Sequence, residues 1–234
     1  MIRIAALLLL LSGPAAAVEC RNVVFDGASF TACEVDAGTE DLRLFHRDDD
    51  GGVLGAFANL PSGTQFAMNA GMYHPDRRAV GLYIEDGVET APLVTRAGPG
   101  NFGLLPNGVL CLTEGRAQVI ESLTYAADPP DCRDATQSGP MLVIGGDLHP
   151  DFKPDSDSLN IRNGVGTSAD GTRAVFAIAN EPVNFHHFAR FFRDELGLPD
   201  ALYLDGRVSR LYAPQLGRND FGVPMGPMVG VLAD

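Results

Sequence analysis

An aspartate that closes an apolar strand and precedes glycine is a carboxylate the backbone can aim into a cleft. The run Ala201-Leu202-Tyr203-Leu204-Asp205-Gly206 has that form. Placed so, Asp205 could serve as general base or nucleophile; the plainer reading is an aspartate that turns the chain onto Gly206. Arg162, Arg207 and Arg210 offer guanidinium groups, each able to hold a phosphate through two N–H bonds. The ordinary fate of such an arginine on an acidic protein is a surface salt bridge. Three further segments carry more polar residues and glycine than packing asks for: Met68–Pro75 (MNAGMYHP), Thr136–Met141 (TQSGPM) and Ile161–Gly166 (IRNGVG). Each falls at the end of an expected strand, where glycine lets a ligand approach the backbone. Taken singly, each is also an ordinary turn.

Other chemistries find little support. Five histidines, at 46, 74, 149, 186 and 187, show neither i, i+4 nor H-x-H spacing, so no metal site is expected. Met68, Met72, Met141, Met225 and Met228 read as core fillers. The run Asp48–Gly52 lacks the ligand alternation and distal Glu of a calcium loop and reads as a solvated turn. Lys153 is the lone lysine and lies in a Pro/Asp-rich stretch, a poor setting for a Schiff base or a phosphate loop. No dinucleotide, Walker or G-x-S-x-G motif stands in its required context, so no cofactor is expected. The formal net charge is −13, with 30 Asp+Glu against 17 Lys+Arg, which disfavours nucleic acid as a partner.

The elements that must position these residues are mostly strands. Among 234 residues, 27 Gly and 16 Pro are too many for a helical bundle and suit a turn-rich sheet protein. Strands are expected at Leu42–Phe45, Gln65–Met68, Val80–Glu85, Met141–Ile144 and Ala201–Leu204. Hairpins are expected around Asp86-Gly87, around Pro106-Asn107-Gly108 (joining Phe102–Leu105 to Val109–Leu112) and around Ala169–Thr172. One helix is clear: Asn184 as N-cap, Phe188, Phe191, Phe192, Glu195 and Leu196 at helical spacing, and Gly197 as stop. Phe185, Phe188 and Phe192 should form its core stripe. The fold class is α+β: a large, mostly antiparallel, twisted sheet system with one principal late helix.

Residues 1–17 (MIRIAALLLLLSGPAAA) have the charged start, short apolar run and small-residue end of a signal peptide. No segment is long and apolar enough for a transmembrane helix. The expectation is a periplasmic or secreted protein with a single domain over 18–234. Export makes disulfides the natural state of Cys20, Cys33, Cys111 and Cys132. Three pairings are open to four cysteines; Cys20–Cys33 and Cys111–Cys132 are favoured because each closes a short loop.

As a set, the polar segments resemble the phosphodiester glycosidase family, in its exported bacterial branch. The likeness rests on Phe66–Asp76 (FAMNAGMYHPD), Ala79–Gly87 (AVGLYIEDG), Ala135–Pro150 (ATQSGPMLVIGGDLHP), Ile161–Gly171 (IRNGVGTSADG) and Ala201–Tyr212 (ALYLDGRVSRLY), in family order. It spans about Asn59 to Leu232. Asn69 and Gly71, Ser138 and Gly139, Arg162 and Gly166, and Asp205, Gly206 and Ser209 match family positions. Arg207 and Val208 stand where the family signature has two glycines, and Asn180-Glu181 where it often has Asp-Gly. The resemblance implies hydrolysis of a sugar 1-phosphodiester at the anomeric carbon. Asp205 would act as base or nucleophile, and Arg162, with Arg207, would clamp phosphate. Glu181 would be a second carboxylate, while Asn69, Ser138, Asn180 and Ser209 orient sugar hydroxyls. Competing readings are a phosphodiesterase cutting the P–O bond and a non-catalytic module binding cell-envelope glycans.

Overall fold

The computed structural model describes residues 18–233; the expected signal peptide lies outside the described residues. In chain order the elements are β1 (Glu19–Phe25), β2 (Ala28–Asp36), β3 (Asp41–Phe45), β4 (Thr64–Asn69), β5 (Tyr83–Glu85), β6 (Val88–Ala91), β7 (Gly108–Thr113), β8 (Arg116–Glu121), α1 (Ser122–Ala127), β9 (Asp134–Ser138), β10 (Met141–Ile144), β11 (Asp147–Leu148), β12 (Asn163–Thr167), β13 (Arg173–Ala179), α2 (Phe185–Arg190), β14 (Asp200–Asp205), β15 (Leu211–Ala213), β16 (Arg218–Asn219) and β17 (Met228–Leu232). They build three sheets, ordered β1-β2-β13-β12-β14-β10-β11, β16-β15-β4-β17-β3 and β6-β5-β9-β7-β8. The ladders at the centre of the large sheet are antiparallel, as are those of the two smaller ones. The α+β class follows.

Alternation along the central strands divides the core. Val165, Phe176, Ile178, Leu202 and Leu204 face inward against Phe66, Met68, Val229, Leu110 and Leu112 from the smaller sheets. Phe30, Val175, Ala177, Ala201 and Tyr203 belong to the other side, where the late helix supplies Phe188, Phe191 and Phe192. Each fully buried phenylalanine contributes about 1.5–3 kcal/mol. Gly166 makes the close packing possible: a Cβ there would sit 2.8 Å from both the Phe192 and Leu198 side chains.

The helix starts as expected, with the Asn184 side chain accepting from the His187 amide at 2.8 Å. It stops at Gly197, also as expected, with φ of 66°, but its last turn is not a regular α-helix. Phe191–Glu195 widens into a π-type turn, with the Leu196 amide donating to the Phe191 carbonyl at 3.1 Å. That turn buries Phe191 on Phe30, ring centroids 4.1 Å apart. Phe188 and Phe192 are fully buried. Phe185, expected in the same stripe, is half-buried; it packs against this core and also against the Arg162 guanidinium.

Strands meet at Asp86-Gly87 and at Ala169–Thr172, as the turn residues predict. The hairpin around Asn107-Gly108 does not form. Residues 102–105 are loop, because both edges of β7 are taken by β8 and β9; the Asn107 side chain caps the Phe102 carbonyl at 3.0 Å. The expected strand Val80–Glu85 shortens to Tyr83–Glu85. Both favoured disulfides are present, Cys20–Cys33 and Cys111–Cys132.

Candidate active site

The site grows from a β-bulge. In the β12–β14 ladder Gly164 pairs with Tyr203 and Asn163 with Asp205, so Leu204 has no partner. Such a bulge re-aims the residues beside it and leaves backbone groups to satisfy. Two predicted residues meet that demand. The Ser138 hydroxyl donates to the Leu204 carbonyl at 2.8 Å, and the Ser209 hydroxyl shares its one proton between the Asp205 carbonyl at 2.8 Å and the Ile161 carbonyl at 2.9 Å. The Asp205 amide donates to Asn163 Oδ1 at 2.9 Å. Asn163 Nδ2 in turn donates to Asn69 Oδ1 at 2.8 Å, and Asn69 Oδ1 also accepts from the Arg210 amide at 2.9 Å. Asn69, Ser138 and Asn163 are fully buried.

Asp205 stands at the end of this lattice with 8% of its surface open, enough to be reached. Its Oδ1 accepts from the Arg207 amide at 2.8 Å. Burial raises the carboxyl above its ordinary pKa, while the N–H groups of Arg207, Gly206 and Val208 and the Arg207 charge pull it back. These N–H groups favour the anionic form and oppose the effect of burial.

Arg162 lies on the adjacent strand end and is fully buried. Its Nε donates to the Val183 carbonyl at 2.8 Å and Nη2 to the Ser158 carbonyl at 2.7 Å; among the described residues Nη1 has no partner. The guanidinium lies over the Phe185 ring at 3.6 Å and 5.6 Å from the Tyr203 ring centre. No carboxylate faces it among the described residues. Burial lowers its pKa, yet a guanidinium stays charged.

Two residues on neighbouring loops complete the surroundings. Tyr73 is raised in pKa by burial and then by the Asp205 charge, with Arg77 and Arg210 opposing. Arg210 reaches out to the Val223 carbonyl at 2.7 Å, and the Tyr73 hydroxyl to the Pro224 carbonyl at 3.4 Å, so the segment after Asp220 is tied to the rim. The Arg207 side chain is exposed.

Gly71 packs where a Cβ would meet Thr136 Oγ1 at 2.8 Å, and Gly139 where one would meet Asn107 Cβ at 2.5 Å. Both let loops cross close behind Ser138. Asn180 and Glu181 follow β13, beyond β12 from Asp205. Asn180 Oδ1 accepts from Arg218 at 2.7 Å and Thr31 at 3.1 Å; Glu181 Oε1 accepts from the Ser29 amide at 2.7 Å. These two form a separate group. Sequence reasoning did not single out Asn163, Tyr203 or Tyr73. Asn163-Gly164 reads as a turn dipeptide and Tyr203 as one apolar residue of a strand; only Tyr73, in a polar loop, carried a signal.

The fold of antiparallel sheets thus brings the Asp205 carboxylate, on its bulge, one strand from the buried Arg162 guanidinium, which has no carboxylate partner among the described residues. Residues 62–223 match the phosphodiester glycosidase family, and the chain belongs to that family. It is 33% identical over 187 residues to YigE of Escherichia coli K12, an uncharacterized protein, covering 77% of this chain and 73% of YigE. Its fold is similar to the catalytic domain of zebrafish N-acetylglucosamine-1-phosphodiester alpha-N-acetylglucosaminidase, auto-inhibited by its pro-peptide, with TM-score 0.64, 14% identity and coverage of 96% and 86% of the two chains. A hypothetical protein from Synechocystis is also similar, with TM-score 0.60, 12% identity and coverage of 93% of this chain and 62% of that one.

Proposed function

We propose that this protein is an exported hydrolase that cleaves a sugar 1-phosphodiester at the anomeric carbon. The observation that carries the reading is Arg162, a buried cation with no carboxylate partner among the described residues, one strand from the reachable carboxylate of Asp205. A phosphate monoester is a good leaving group, so no strong general acid is needed. What the reaction asks for is a positive field at the departing phosphate and a base or nucleophile at the sugar carbon. Arg162 supplies the first and Asp205 the second. Asn69, Asn163, Ser138 and Ser209 hold the bulge that aims Asp205, rather than pointing at a sugar. Glu181 has no part in this scheme, since its carboxylate is engaged by Ser29 across the sheet. The disulfides and the absence of a membrane-spanning helix among the described residues fit export.

The test is hydrolysis of α-N-acetylglucosamine 1-(methyl phosphate) in ¹⁸O-water. Label in the released sugar, with turnover lost in a folded Asp205→Asn variant, is the expected result. Label in the phosphate means P–O cleavage, and glycan binding by calorimetry without turnover means a binding module; either outcome overturns the reading.

A further inference from the structure

Arg162 cannot touch a phosphate arriving at the Asp205 turn. Its side chain is wholly enclosed, two of its nitrogens are committed to carbonyl groups, and the third is shut away from solvent. Tyr203 occupies the space between. Its ring lies 5.6 Å from the Arg162 guanidinium carbon and meets Phe185 edge-on at 4.8 Å. Tyr203 is itself only 1% exposed, but unlike Arg162 Nη1 its hydroxyl is not among the polar atoms sealed off without a partner. On the other side that hydroxyl rests against Gly206, where a Cβ would overlap it. The phenol oxygen therefore stands between the hidden cation and the residue that follows Asp205.

We propose that the Tyr203 hydroxyl is the hydrogen-bond donor to the substrate's phosphate, and that Arg162 is a positioning residue acting through it. This rests on the sugar-phosphodiester reading above. The electrostatics agree. Burial, with the Asp205 charge adding to it and Arg162 opposing, pushes the phenol up to about 12. It keeps its proton at neutral pH and acts as a donor, not a base. The guanidinium behind it polarises the O–H bond, which strengthens donation to an oxyanion.

The experiment uses the whole protein labelled with ¹³Cζ-tyrosine, and inorganic phosphate as the probe, with chloride at matched ionic strength as control. Phosphate is expected to move one tyrosine resonance, the one missing from Tyr203→Phe. Calorimetry should show phosphate affinity falling roughly tenfold or more in Tyr203→Phe, the loss of one hydrogen bond to a charged group. Arg162→Lys should shift the Tyr203 resonance and weaken phosphate binding in the wild-type background, but add nothing in the Tyr203→Phe background. The proposal is overturned if Tyr203→Phe binds phosphate like the wild type, if no tyrosine resonance responds, if chloride moves it equally, or if the Arg162→Lys loss is the same in both backgrounds. Should Arg162→Lys fail to fold, the Tyr203→Phe arm decides alone. Phosphate binding at Tyr203 without turnover of any sugar phosphodiester would sink the hydrolase reading and leave this anion seat standing.

Discussion

The amide of Asp205 is held by the side-chain oxygen of Asn163 at 2.9 Å, and the same Asn163 binds Asn69 through its Nδ2 at 2.8 Å. One buried asparagine thus ties the end of β14 in the large sheet to the end of β4 in a smaller one. Neither link belongs to a ladder, so the aim of Asp205 depends on a side chain. Asn163→Ala strands the Asp205 amide and Asn69 Nδ2, which donates to Asn163 Oδ1 at 3.3 Å, while Asn69 Oδ1 keeps the Arg210 amide. Each unpaired buried group costs about 1–3 kcal/mol, so for two groups a loss of about 2–6 kcal/mol is expected in urea unfolding, together with lost turnover. A drop below about 1 kcal/mol would mean that other groups or water take over.

Asp205 should show the trade of stability for function that buried catalytic carboxylates make. Burial raises its folded pKa above the unfolded value, so the folded state binds the proton more readily. Stability then falls as pH rises from the ordinary carboxylate range through the raised value. Asp205→Asn keeps the acceptor for the Arg207 amide and removes the buried charge. It is expected to be more stable than wild type at pH 7 by about 0.5–2 kcal/mol, with the gain vanishing in acid below the ordinary carboxylate range. The acid limb of the wild-type activity profile should lie above that range for the same reason. Equal stability of the two proteins across pH 3–8, measured by thermal unfolding, would contradict this balance.

The two disulfides should not be equal. Cys20 and Cys33 are direct partners in the β1–β2 ladder, and the turn between those strands already closes their loop. Cys111 lies in β7 and Cys132 in the loop before β9, 21 residues on, with helix α1 between. By loop-closure entropy the second bridge is worth about 3 kcal/mol. Replacing Cys111 and Cys132 with serine should therefore lower the Tm more than replacing Cys20 and Cys33. The reverse order would show that the first hairpin does not close on its own.

Much of this was legible in the sequence where a signal is local. Alternating strands, Asp-Gly turns, the Asn184 cap and the short cysteine loops each act within a few residues, and each appears in the fold. The site was legible only as segments. Asn69, Ser138 and Ser209 do gather around Asp205, but the bulge that decides what they bind arises from a register slip between β12 and β14. Nothing local encodes that slip, so Asn163 reads as a turn residue and Tyr203 as core. The widened turn at Phe191–Glu195 escaped for a similar reason: its driving force is a stack on Phe30, more than 150 residues away in the chain.

Gly206 offers a check on the place given to Tyr203. A Cβ at position 206 would overlap the tyrosine hydroxyl, so Gly206→Ala must push either the phenol or the turn. Overpacking of that kind costs about 1–3 kcal/mol. Tyr203→Phe removes the atom in the way, so the alanine should cost markedly less in the phenylalanine background. A double-mutant cycle read by urea unfolding measures the difference, since residues in contact couple while distant ones add. Strictly additive effects would place the hydroxyl elsewhere and remove the geometric basis for its contact with phosphate. Turnover gives an independent reading: Gly206→Ala should lower it by displacing the donor, and should lower it little further once Tyr203 is already phenylalanine.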